Sequence, residues 1–94
     1  MVTAFTTGRL LMTCGVKEEV IAAQPFSQFV AKSLARHKLG DWGDLSIDDQ
    51  VENELSLKAG YRLLSAYEAE GLPKIWIITE ADRSVTTILF PSEY

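Results

Sequence analysis

The spacing of apolar residues predicts two helices before residue 40. A short helix covers 16–23, with Glu18 and Glu19 in its first turn, where acidic side chains complement the helix dipole. Pro25 suits the first turn of a second helix, and Gly40 is a typical residue just after a helix end. The second helix has one apolar stripe along its length, formed by Phe26, Phe29, Val30 and Leu34.

A third helix is predicted between Ser46 and Gly60. Ser46 and Asp49 have the spacing of a capping box, which marks a helix start. Apolar residues recur every four positions, and acidic residues occupy the other faces, as in an amphipathic helix. The apolar positions are Ile47, Val51 and Leu55.

The remainder of the chain has the patterns of β-strands. Residues 61–67 alternate between two faces, and 74–79 are apolar on both faces, as in a central strand. Residues 85–90 are β-branched and aromatic, and Pro91 stops them. Three consecutive strands with short connections predict an antiparallel meander in which the last strand lies at an edge. Residues 9–14 add a fourth strand or begin a helix.

Together these elements predict one small α+β domain over residues 1–94. We expect a three- to four-stranded antiparallel meander with two to three helices packed on one face. The pattern leaves the structure of segment 1–24 open. Because 85–90 is apolar and expected at an edge, and an open apolar edge favours pairing, we also predict a possible homodimer.

The charge of the chain disfavours direct binding to nucleic acid. Nine basic and thirteen acidic residues give a net charge of −4, whereas contacts to the phosphate backbone need an excess of Lys and Arg. Six acids and no base lie between Asp41 and Glu54. Such a cluster is typical of a solvated helix face, and it also attracts a basic partner.

The cysteine content and hydropathy indicate a cytoplasmic protein. The lone cysteine, Cys14, excludes an internal disulfide and fits a reducing compartment. It lies in an apolar run, so we expect a buried thiol. No secretory signal pattern and no apolar stretch of about 20 residues are present, so we expect no membrane association.

A first group of chemically versatile residues lies between the second and third helices, in the segment 37–45. A histidine with two carboxylates suits either a divalent metal or acid–base chemistry. The alternative is a structural role, in which the histidine interacts favourably with the C-terminal end of the helix dipole and the aspartates cap turns. The tryptophan either fills the space between helices and sheet or stacks on a flat ligand. These residues are His37, Asp41, Trp42 and Asp44.

A second group lies in the polar turn after 74–79. Arg83 has the fork geometry to hold a phosphate or carboxylate, with Thr86 and Thr87 as hydroxyl donors. Alternatively, Arg83 pairs with Glu80 or Asp82 and closes the turn. We predict no cofactor, since neither a Gly-rich phosphate loop nor a nucleophile elbow is present.

Two motifs of the chain are distinctive, Gly40–Leu45 (GDWGDL) and Ile75–Thr87 (IWIITEADRSVTT). They resemble a family of small bacterial proteins found on plasmids, integrative elements and prophages, and the similarity extends over Arg36–Tyr94. The resemblance implies no particular activity. The genetic setting of that family suggests an accessory role for a mobile element, such as countering host defence or regulating transfer.

Three functions are compatible with these features. The first is a non-enzymatic module that binds a small anionic ligand or a host protein through the two motifs. The second is a small metal-dependent hydrolase or nuclease that uses His37, Asp41 and Asp44. The third is an acidic decoy of a DNA-binding protein, formed by the acids from Asp41 to Glu54.

Overall fold

The computed structural model describes residues 3–94 and has the predicted α+β architecture. Within these residues, one strand precedes three helices, three further strands follow, and a 3₁₀ turn spans Pro91–Glu93. The helices are α1 (Cys14–Ala22), α2 (Gln24–Lys38) and α3 (Ile47–Ala59). The strands are β1 (Arg9–Met12), β2 (Leu63–Tyr67), β3 (Ile75–Thr79) and β4 (Val85–Leu89).

The sheet is mixed, with the strand order β1-β4-β3-β2. Strands β2, β3 and β4 form the predicted antiparallel meander, and β3 is internal. The prediction of a purely antiparallel sheet is wrong in one detail, because β1 pairs in parallel with β4. The prediction that β4 lies at an edge is also wrong, since β1 covers its outer side. The edges of the sheet are β1 and β2.

The core lies between one face of the sheet and helices α1 and α2. Alternate residues of the strands point towards these helices, as the period of two requires. Thr13 caps α1 by accepting a hydrogen bond from the Val16 amide, and Pro25 lies in the first turn of α2. The buried apolar cluster comprises Val16, Phe26, Val30, Tyr67, Ile75, Ile77 and Ile88.

Helix α3 does not belong to this layer and lies against the edge strand β2. Ser46 caps it by accepting a hydrogen bond from the Asp49 amide at 3.2 Å, and Gly60 ends it in a left-handed conformation, as the sequence predicted. Its buried residue is polar. Asn53 donates to the Leu64 carbonyl at 2.5 Å and accepts from the Leu64 amide at 3.2 Å, so its side chain pairs with the strand backbone.

Two further expectations concern exposure. The prediction of a buried thiol is wrong, since Cys14 is the first residue of α1 and is exposed there. Among residues 3–94, no helix is both long enough and apolar enough to cross a membrane.

Candidate functional site

The two sequence motifs meet in space, and Phe5 lies between them. The Phe5 ring stacks on Trp42 with centroids 6.1 Å apart and meets the edge of His37 at 5.2 Å. The Arg83 guanidinium lies over the same ring at 5.8 Å. Sequence analysis missed Phe5, because a single phenylalanine in a threonine-rich segment has no periodic partner that would assign it to a face.

A buried chain of polar side chains runs from this cluster through the sheet. His37 contacts Ser65 Oγ through Nδ1 at 2.5 Å and Thr79 Oγ1 through Nε2 at 2.8 Å. Thr79 then contacts the Thr86 hydroxyl at 2.7 Å, and Thr86 donates to the Thr7 carbonyl at 2.8 Å. All four side chains are buried. The chain therefore joins α2 to three strands and to the N-terminal segment.

The Thr7 carbonyl determines the direction of the hydrogen bonds from Thr86 back to His37 Nε2. A carbonyl oxygen can only accept, so the Thr86 hydroxyl donates its one proton to Thr7. Thr86 must therefore accept the hydrogen bond from the Thr79 hydroxyl. Thr79 then accepts from His37, which places the ring proton on Nε2. Both ring nitrogens are thus engaged inside the protein, and when His37 is neutral its Nδ1 accepts from the Ser65 hydroxyl.

Burial, together with the positive charge of Arg83 as a smaller cause, lowers the pKa of His37 to about 4. A charged imidazole at this position would lose its hydration, and Ser65 would have to turn from donor to acceptor. With this lowered pKa, the ring is a neutral connector between α2 and the sheet at neutral pH.

The two aspartates of the first motif fasten the loop to its surroundings. Asp41 accepts from Arg36 at 2.7 and 3.1 Å and from the Gly43 amide. The hydrogen bond from Arg36 is the main reason that the pKa of Asp41 lies below its ordinary value. Asp44 accepts from the Glu68 amide at 2.8 Å. Both carboxylates thus have partners within the fold.

The loop itself pairs with the backbone of β2. The Asp44 amide donates to the Ala66 carbonyl at 2.7 Å, and the Ala66 amide donates to the Trp42 carbonyl. A Cβ at Gly43 would collide with that Ala66 carbonyl, so the close approach requires glycine. Trp42 is buried, and its indole N–H donates to Glu54 of α3 at 2.8 Å. The loop therefore joins the sheet to α3.

The residues proposed for a metal do not converge. His37 points into the core with both nitrogens engaged, while Asp41 and Asp44 bind Arg36 and the Glu68 amide at the surface. Over the described part of the chain, no group of three His, Cys, Asp or Glu side chains is placed to hold a metal ion. The metal-dependent hydrolase has no geometric support in these side chains.

In the second motif, Arg83 binds backbone carbonyls. Its Nη1 donates to the Tyr61 and Glu80 carbonyls at 2.7 and 3.1 Å, and Nη2 lies 3.4 Å from the Ser56 carbonyl at the end of α3. Arg83 also has a φ of 60°, a left-handed conformation that costs free energy for a residue with a side chain. The guanidinium thus ties the turn to the C-terminal end of α3.

The other residues of this motif do not form an anion cradle around Arg83. Asp82 accepts from the Ser84 hydroxyl and amide, which lowers its pKa, and Glu80 is exposed. Thr86 belongs to the buried chain, whereas its neighbour Thr87 lies on the opposite face of the sheet because side chains alternate along a strand. The predicted ligand site is therefore divided between the core and two surfaces.

The most unusual surface is the outer face of α3. Ile47, Val51 and Leu55 have exposed fractions of 79%, 54% and 62%, although their spacing places them on one side of the helix. An amphipathic helix normally buries such a stripe. Here the hydrogen bonds of Asn53 hold the opposite side against β2. We call Ile47, Val51 and Leu55 the α3 stripe.

Acidic residues border the α3 stripe. At about 100° per residue, Asp48 and Glu52 follow the stripe on one flank, and Glu54 lies on the other. Glu54 binds the Trp42 indole, whereas the carboxylates of Asp48, Asp49 and Glu52 accept no hydrogen bond from any residue in 3–94. The surface is therefore apolar in the middle and negative on its border.

An open groove of about 560 Å³ lies on the inner flank of α3, above the outer face of the sheet. Trp76 lines it together with Arg62 and Lys74, and Asp49 and Glu52 line the opposite wall. Charges of both signs face each other across this groove, so it favours no single class of charged ligand.

Comparisons with known proteins do not assign the chain to a family. No family model matches it, and no curated protein and no solved structure matches it. The resemblance to small proteins of mobile elements therefore stays a prediction from the two motifs.

Proposed function

We propose that this protein is a non-enzymatic binding module that inserts the α3 stripe into an apolar groove of a protein partner. The observation that carries the proposal is the exposure of three aliphatic side chains at helical spacing, on a helix that is fixed to the sheet. Helix-in-groove recognition uses anchors at this spacing. The groove of the partner is bordered by Lys or Arg, which complement Asp48 and Glu52.

The energetics of the stripe favour a protein partner. Complete burial of one Val, Leu or Ile side chain contributes about 1.5–3 kcal/mol, and all three are more than half exposed. Tyr61, which follows the C-terminal end of α3, is a further exposed aromatic side chain, at 65%. Rigid, preorganised anchors lose little conformational entropy on binding, and the bonds of Asn53 and Arg83 supply that rigidity here.

A partner other than a second copy of the chain fits the charge of this surface. Pairing α3 with α3 of another copy would bring the carboxylates of Asp48, Asp49 and Glu52 towards the acidic residues of the second α3, and like charges repel in a desolvated interface. A small anion is also disfavoured on this negative surface, and Arg83 is engaged by carbonyls. The resemblance to mobile-element proteins suggests that the partner is a host protein.

Site-specific photo-crosslinking in living cells tests the proposal. A photoreactive amino acid at Val51 is compared with the same amino acid at Ile21, a position of α1 that is more exposed than Val51, with an exposed fraction of 77% against 54%. We expect a discrete adduct from Val51 alone. Its protein component is then identified by mass spectrometry and purified. The purified component must bind the wild-type protein and the Ile21→Lys variant equally, and the Val51→Lys variant at least about tenfold more weakly.

The same purified partner separates the competing functions. Binding through an acid-bordered helix weakens as salt rises, and Asp48→Asn with Glu52→Gln reduces that dependence. If double-stranded DNA displaces the protein from the partner, the acidic decoy is the better description. If positions 51 and 21 give the same adducts, or Val51→Lys binds as tightly as the wild type, α3 is not the binding surface.

A further inference from the structure

The strand β1 is an open edge of the sheet. The Arg9 and Thr13 amides donate to the Ser84 and Ile88 carbonyls of the β4 side. Since backbone groups alternate along a strand, Leu10 and Met12 direct their N–H and C=O groups away from the sheet. Within residues 3–94, no backbone or side-chain group hydrogen-bonds to these outward groups. All four residues of β1 are exposed.

The opposite edge of the sheet shows how this protein closes an edge. On β2, the Asn53 side chain pairs with both backbone groups of Leu64, and the loop backbone at Trp42 and Asp44 pairs with Ala66. Strand β1 has no such cover, no proline and no bulge. Its Leu10, Leu11 and Met12 are 41% to 47% exposed. An uncovered edge with apolar side chains favours the addition of another strand.

We propose that β1 pairs antiparallel with β1 of a second copy, so that two four-stranded sheets continue into one. The backbone groups that point away from the sheet determine the register. These N–H and C=O groups belong to Leu10 and Met12, and in each copy both residues form hydrogen bonds only when Leu10 faces Met12 of the other copy. Leu11 then lies opposite Leu11 of the second copy on the molecular two-fold axis, and each Leu10–Met12 pair exchanges its two backbone hydrogen bonds.

The charges at the ends of β1 favour this register. It places Arg9 of one copy opposite Thr13 of the other, on the same face of the joined sheet. The Thr13 hydroxyl donates to the Glu93 carboxylate at 2.7 Å within its own chain. Arg9 has no ion pair among the described residues, and the dimer brings it towards that carboxylate. The dimer leaves the α3 stripe free, because α3 lies at the other edge of the sheet.

Charge swapping at the two-fold axis tests the dimer. Sedimentation equilibrium of the wild type should show a monomer–dimer equilibrium. Leu11→Lys and Leu11→Glu should each weaken dimerisation at least about tenfold, since each places like charges directly opposite one another. An equimolar mixture of the two should restore a heterodimer. Damage to the monomer fold would not be repaired by mixing, so this rescue separates pairing from misfolding.

Disulfide trapping tests the register. In a Cys14→Ser background, Leu11→Cys should form a covalent dimer on mild oxidation, since directly opposed residues have Cα atoms about 4.5–5.5 Å apart. Leu10→Cys, one residue earlier, faces Met12 of the second copy and should not. A wild type that stays monomeric up to millimolar concentration overturns the proposal. So does a dimer that Val51→Lys disrupts and Leu11→Lys leaves intact.

Discussion

The neutral His37 makes the stability of this protein depend on pH in a defined window. The pKa of His37 is about 4 in the folded protein, against 6.5 for a free side chain. The unfolded chain therefore takes up a proton more readily than the folded one. The stabilisation from the neutral ring is complete above pH 6.5 and is lost progressively as the pH falls towards 4.

The size of this effect follows from the pKa difference. A difference of about 2.5 pH units at 1.36 kcal/mol per unit corresponds to about 3 kcal/mol of the free energy of unfolding. A small domain has a total stability of about 5–15 kcal/mol, so the loss is a large share of it. The physical origin is the desolvation of a charged imidazole and the reversal of the hydrogen bond from Ser65.

Two measurements check this prediction. His37 is the only histidine, so one ring signal in the NMR spectrum of untagged protein reports its titration directly. Urea unfolding at several values between pH 7 and 4 then compares the wild type with His37→Gln, which cannot titrate. Carboxylates contribute equally to both proteins, so the difference in pH dependence isolates His37. A folded-state pKa near 6.5, or identical pH dependences, would refute the buried neutral ring.

Three substitutions test the remaining contacts by urea unfolding at neutral pH. Thr79→Val keeps the shape but leaves the His37 Nε2–H without an acceptor, and it should cost about 1–3 kcal/mol; Thr87→Val, on the opposite face of the same sheet, is the control and should have little effect. Arg83→Ala should lower stability by about 1.5–3 kcal/mol, because a charged donor to backbone carbonyls is lost, whereas exposed Arg62→Ala should change it by less than about 0.5 kcal/mol. If Arg83→Ala left the free energy of unfolding unchanged, Arg83 would again be a candidate for ligand binding. Asn53→Ala should cost about 1–3 kcal/mol through the unpaired backbone of Leu64; unchanged stability would show that α3 is held by other contacts.

The fold and the proposed binding surface depend on the same residues. The bonds that hold α3 against β2 come from Asn53, from Trp42 through Glu54, and from Arg83 at the helix end. They satisfy polar groups at the sheet edge, and they also determine which side of the helix faces solvent. In the proposed function, the residues of the two sequence motifs thus support the α3 stripe rather than contact the partner.

The local elements were determined by the sequence, because their causes are local. The Ser46 cap, the glycine at the end of α3 and the apolar periodicity of α2 act within a few residues of chain, and the structure has helices there. The alternation in β2 and the apolar run in β3 likewise predicted strands, and short connections predicted their antiparallel order. These features established the α+β class and the meander.

Only the tertiary structure decided which surfaces these elements present. The parallel pairing of β1 with β4 joins segments that are more than 70 residues apart, and no local pattern encodes such a partner. The four-residue spacing of apolar residues shows that α3 has an apolar stripe. Whether that stripe faces the sheet or the solvent depends on two opposing demands, burial of the apolar side chains and hydrogen bonding of the unpaired backbone groups of β2. Asn53 lies on the side of the helix opposite the stripe, and its two hydrogen bonds to the Leu64 backbone hold that side against β2, where unpaired backbone groups would cost free energy. The apolar stripe therefore faces solvent, where it is available to a partner.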